Sequence, residues 1–116
     1  MINIWVKYMN DKLRQVLNEH NWDDGFDLPK ELLKNPECDL ALALEIFYLA
    51  DGYSYLIDKS RSTSLKEWKL FVEKLYVDIL EGKYIQTAST FENPLTKVQR
   101  YKLKKQQIPD VFLIDL

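Results

Sequence analysis

Residues 21–56 read NWDDGFDLPKELLKNPECDLALALEIFYLADGYSYL. The front of this stretch gathers Asn21, Trp22, Asp23, Asp24 and Gly25 into one turn, with Trp22 expected as a buried pin. Its back, Leu40 to Ala50, is apolar at every position except Glu45. An amphipathic helix buries one stripe, so a run apolar on all sides belongs at the centre of a helical assembly. A buried strand is the competing reading. Leu and Ala are strong helix formers and Ile46 is the one β-branched residue, so the helix is preferred. Asp39 is placed to cap it, and Asp51-Gly52 to end it, giving a helix from Leu40 to Tyr48 that reaches toward Ala50. Upstream, Pro29 suits the first turn of a short helix over about Pro29–Lys34. Asp27 would accept from its free amides, and Asn35-Pro36 would stop it.

These residues resemble a bacterial domain family of unknown function. Its hallmark is the NWDDG turn followed by a proline-led helix, then a CDL helix start and a helix ending in FYLADG. Cys38-Asp39-Leu40 and Phe47 to Gly52 match the last two features. The resemblance implies a small helical bacterial domain, of a kind that often sits in variable loci encoding toxins and their immunity proteins. It brings no activity, substrate or catalytic residue.

Working outward, Trp5, Met9, Leu13, Val16 and Leu17 recur at three- and four-residue steps, one face of a helix from Ile4 to about His20. Asn21 and Gly25 are suitable terminators. Beyond the polar connection DKSRSTS, Ser64 and Glu67 form a capping-box pattern. The helix it opens turns Leu65, Trp68, Phe71, Val72, Leu75, Ile79 and Leu80 to one side, and Gly82 ends it. Tyr84 to Phe91 is compatible with a short extended piece. A further helix is expected from Pro94 to about Gln107 with Leu95, Val98, Tyr101 and Leu103 inward. After Pro109 the tail VFLIDL reads as extended. The expected architecture over residues 1–116 is a single all-α domain, a bundle of about five helices with a short extended segment near the C-terminus.

At 116 residues the chain suits one core. No apolar run approaches the roughly 18 residues of a membrane span, and MINIWVKYMNDKLRQ lacks the pattern of a secretory signal. Cys38 is the sole cysteine, so no internal disulfide forms and a reducing cytoplasm is expected. The net charge of -2 hides an asymmetry: residues 1–60 hold eleven acids against six bases, residues 61–116 seven against ten. Asp23, Asp24, Asp27, Glu31, Glu37 and Asp39 concentrate the acidic excess. Lys97, Arg100, Lys102, Lys104 and Lys105 concentrate the basic one. Either pole can attract a charged partner.

Chemistry finds little purchase. Nucleophilic catalysis needs a nucleophile within reach of a base. His20 and Cys38 are the one pair available, and each has a structural reading, at a helix end and as a small buried residue. Asp23, Asp24 and Asp27 could hold calcium, yet position twelve counted from Asp23 is Lys34 where an EF-hand loop needs Glu. Capping and turn bonding explain the three aspartates without a metal. Three glycines are too few for a phosphate cradle. No metal and no cofactor is expected.

A non-enzymatic protein-binding module remains, most concretely an immunity or antitoxin protein that occludes a cognate toxin's active site. Asp23, Asp24, Asp27, Glu31 and Glu37 would mimic a phosphate backbone toward a nuclease. Tyr53 and Tyr55, two apart just past Gly52, would add aromatic contact area, at least one of them at the surface. The alternatives are a nucleic-acid-associated accessory protein using the basic segment 97–105, or a small hydrolase built on His20 and the aspartates.

Overall fold

In a computed structural model, residues 4–60 and 65–116 are described, with side chains from Asp11 onward. The side chains of Trp5 and Met9, and the Ser64 half of the capping box, lie outside the described residues. Six α-helices follow in order: α1 Ile4–Asn18, α2 Asp27–Lys34, α3 Leu40–Leu49, α4 Gly52–Ile57, α5 Lys66–Leu80 and α6 Lys97–Lys105. Single 3-10 turns occupy Trp22–Asp24 and Asp110–Phe112. The fold is all-α, and among the described residues no strand forms.

α3 is the axis. Leu42, Ala43, Leu44, Ile46 and Phe47 are fully buried, and α1, α4 and α5 pack around them. Glu45, the one charge on this helix, is half-buried with Oε2 3.3 Å from Arg14 Nε. The same guanidinium donates through Nη2 to the Thr90 carbonyl, so Arg14 ties α1 to α3 and to the segment after α5. Asp39 is 1% exposed and caps α3 by accepting from the Leu42 amide at 2.9 Å. Its other oxygen accepts from the Thr87 hydroxyl at 2.6 Å. The Leu40 amide, a further orphan of the helix start, donates to the Ile85 carbonyl at 2.8 Å. The stretch 84–91 is therefore no strand. It is an irregular strap that completes the N-terminal cap of the central helix.

α4 is the helix the sequence pattern did not disclose. Asp51 takes a left-handed conformation (φ 62), which turns the chain after α3, and a new helix begins at once at Gly52. Six residues with no full apolar period read more readily as loop. Helix edges also moved. Asp27 does not cap α2; it is the first helical residue, and Phe26 holds the cap position without a side-chain bond. α6 is shorter than expected because Thr96 stops it upstream, forming a capping box with Gln99.

Three expected inward faces were too wide. Leu65, Leu80, Val98, Tyr101 and Val16 are exposed. Tyr76, on α5, is buried instead and stacks on Phe112 at 4.8 Å. The tail is not wholly extended, since Asp110–Phe112 makes a turn before the chain straightens. Leu116 then exchanges both backbone hydrogen bonds with Phe91, at 3.0 and 2.9 Å. Buried Asn93 holds this arrangement: its Nδ2 donates to the Phe112 carbonyl and its amide to Asp115 Oδ1. Arg100 closes it, donating to the carbonyls of Asn93 and Leu95.

Candidate functional site

The NWDDG turn is built by its own first residue. Asn21 Oδ1 accepts from the Asp23 amide at 3.0 Å, and Gly25 (φ 94) releases the chain from the 3-10 turn. Asn21 rather than an aspartate is thus the side-chain cap here. Asp23 and Asp24 are left exposed on a short, internally bonded turn. His20 braces the turn from behind, Nε2 donating to the Gly25 carbonyl at 2.9 Å.

Trp22 is not the buried pin expected of it. It is half-buried, edge-on to His20 at 4.9 Å and to Phe26 at 6.3 Å. Phe26 stacks on Phe71 of α5 at 4.7 Å, so a continuous run of rings anchors the acidic turn to the core. The free side of Trp22 lines a groove of about 350 Å³ whose other walls are Phe26, Leu49, Leu65 and Trp68. Leu49 is 47% exposed and Leu65 63%, while Trp68 is fixed by donating Nε1 to the Ala50 carbonyl at 2.7 Å. Asp51 and Ser54, bonded to each other at 2.7 Å, stand at its edge. An apolar aromatic trough with a carboxylate at its edge and two more on the adjoining turn has the make-up of an interface centre, where large rings provide contact area and charge surrounds them.

The other expected contact residues separate. Asp27 and Glu31 are exposed on α2, with Glu31 3.7 Å from Lys34. Glu37 is half-buried beyond the end of α2, its amide bonded to Asn35. Tyr53 is half-buried, but Tyr55 is 6% exposed and packs edge-on to Tyr76, so it is a core residue and offers no contact surface. Burial raises its hydroxyl pKa above the ordinary tyrosine value, with Glu73 and Tyr76 adding to the effect. On the basic side, Lys97, Lys102, Lys104 and Lys105 are exposed, whereas Arg100 is committed to the carbonyls of residues 93 and 95 and leaves that set.

His20 and Cys38 have separate environments. Cys38 is buried, and desolvation, reinforced by Asp39 and partly offset by Lys83, pushes its thiol up to about 12. A thiol held protonated is a poor nucleophile, and the His20 ring is turned to Gly25 and Trp22. Among the described residues no three His, Cys, Asp or Glu side chains converge as metal ligands would. No described helix is long and apolar enough to cross a membrane.

Leu49, Leu65 and Trp68 were not expected at a site. A helix apolar all round hides which side faces out, so Leu49 looked like core, and Leu65 looked like the first inward residue of α5. No curated protein and no solved structure matches the chain. A family match spans residues 9–80, taking in the acidic turn and every wall of the aromatic groove and leaving out α6. Covering more than half of the chain, it shows that the protein belongs to the family described as Domain of unknown function (DUF4274).

Proposed function

We propose that this protein is a non-enzymatic binding module that docks a protein partner through the Trp22–Trp68 groove and the acidic turn beside it. Its most concrete form is a bacterial immunity or antitoxin protein occluding the basic active site of a cognate toxin. The observation that carries this reading is the pairing of an exposed aromatic trough with Asp23, Asp24 and Asp51 on short, bonded turns. Turns fixed by their own hydrogen bonds need little backbone reordering on binding, which lowers the cost of association. Fixed negative charge accelerates encounter with a basic surface, and the buried rings govern release.

The test is binding kinetics with the product of the adjoining gene, the partner such loci place beside an immunity protein. Asp23→Lys with Asp24→Lys should slow association about tenfold at low salt, with little change in dissociation. Leu65→Glu, at an exposed position, should speed dissociation instead. If both variants bind as the parent does, this docking surface is wrong.

A second reading has one observation in its favour. Tyr101 is 60% exposed on α6 among four exposed lysines, with Lys105 Nζ 4.8 Å from its ring centre. A base can stack on such a tyrosine while the lysines hold phosphates. Recovery of RNA alone from the native host, removed by nuclease or high salt, would favour that reading over the first.

A further inference from the structure

A second groove lies between α2 and α5 and differs in charge from the first. It encloses about 440 Å³, within the size range of small-ligand sites. Leu33 of α2, Leu70, Phe71 and Leu75 of α5, and Tyr84 beyond α5 make its apolar lining. Leu70 is 71% exposed and lines the groove beside Phe71 and Leu75. Four lysines stand around it, Lys30, Lys34, Lys74 and Lys83, against two acids, Glu67 and Asp78. Asp78 is shared by Lys74 at 2.8 Å and Lys83 at 3.4 Å, so one carboxylate faces two ammonium groups. Lys34 forms an exposed pair with Glu31 at 3.7 Å. With Glu31 counted, four lysines face three acids, so the rim keeps one positive charge in excess over an apolar floor. A second copy of the chain meeting this groove face to face would bring lysines against lysines, which disfavours a symmetric dimer here.

We infer that this groove binds a small amphiphile, an aliphatic chain ending in a carboxylate, with the chain on Leu33, Leu70 and Leu75 and the carboxylate among Lys30, Lys74 and Lys83. Such a ligand matches this lining, since ammonium groups on long stems can reach the carboxylate while their methylenes extend the apolar wall. Tyr84 is buried at the floor, and burial raises its pKa well above the usual tyrosine range, so it is a neutral hydroxyl.

Dodecanoate and dodecyltrimethylammonium, each below its micelle concentration, are the probes. They share a tail and differ in the sign of the head. Methyl resonances of the intact protein would be followed during titration. Dodecanoate should bind saturably, one per chain, at submillimolar concentration, shifting Leu33, Leu70 and Leu75 and leaving Leu49 and Leu65 in place. The cationic probe should bind at least tenfold more weakly. Lys74→Glu with Lys30→Glu, both at exposed positions, should weaken dodecanoate at least tenfold, while Lys102→Glu with Lys104→Glu on α6 should not. Equal binding of both heads, shifts confined to Leu49 and Leu65, or no saturable binding would each overturn the assignment. Shifts confined to Leu49 and Leu65 would place the amphiphile in the Trp22–Trp68 groove instead; the other outcomes do not touch that groove as a protein surface, so the two readings fail separately.

Discussion

A methyl group at position 52 would lie 2.3 to 2.5 Å from the Phe47 ring, nearer than carbon atoms can approach. Phe47 is fully buried against Phe112 and Tyr48, so the ring has nowhere to go. Gly52→Ala should therefore destabilise the fold by about 1–3 kcal/mol through overpacking. A thermal melt measures it, and Phe47→Leu in the same chain should return part of the loss by vacating the space. Gly82 is a different case: its φ of 77 disfavours a side chain, while the space around it is open. Gly82→Ala should also cost stability, and Phe47→Leu should bring no relief there. Equal responses of the two alanine variants to Phe47→Leu would show that the close contact at Gly52 is not the cause.

At the scale of elements, the C-terminal clamp is the assembly most exposed to a single change. Asn93 donates to Phe112 and Asp115 while accepting from the Leu95 amide, and it is 5% exposed. Asn93→Ala keeps the backbone bond to Asp115 but should take a donor from the Phe112 carbonyl and strand the Leu95 amide, and cost about 1–3 kcal/mol. Amide exchange at Phe91 and Leu116, which bond each other, should accelerate more than at Leu42 or Ile46 of α3. Uniform acceleration across the chain would mean that the clamp and α3 open together. Little of this clamp was legible beforehand. Its bonds join residues about twenty apart, and an Asn-Pro pair looks the same whether it opens a helix or holds a tail. The long elements were legible because their apolar spacing is a property of the segment itself: α3 and α5 emerge from Leu40–Leu49 and Phe71–Ile79 alone. Asp39 was legible as a cap, yet Thr87 and Ile85, which complete that cap, were not. The acidic turn was readable as a turn, but its exposed partners Leu49 and Leu65 depend on which flank of α3 and α5 remains uncovered, and packing of other helices decides that.

Over the whole molecule, the two grooves share α5 and are separated by one stacked pair, Phe26 in the acidic groove and Phe71 in the lysine groove, with centres 4.7 Å apart. The lysine groove is not the basic pole of the sequence: Lys30 and Lys34 come from the acidic half, and the cluster at 97–105 lies outside it. The buried neutral groups of the core set its alkaline limit. Cys38 is raised from 9.0 to about 12, and Tyr48 from 10.0 to about 12, in both cases chiefly by desolvation. A group with its folded pKa above its unfolded one contributes stability that is complete below the unfolded value and lost as pH rises through the folded one. Urea unfolding should accordingly be unchanged by these two groups up to about pH 9 and weaken steadily toward pH 12. Cys38→Ala should flatten the early part of that decline; an unaltered slope would rule the thiol out as its source. The late completion of the α3 cap bears on biosynthesis as well. Residues 40–50 are synthesised before α5, the strap at 84–91 and Phe112, which later cover them. At roughly 5–20 residues per second, the chain from Ala50 to Phe112 takes about 3–12 s to synthesise. Until the last of these residues is made and released, the most apolar helix of the protein lacks part of its cover, and once outside the tunnel it is a segment to which a chaperone can bind.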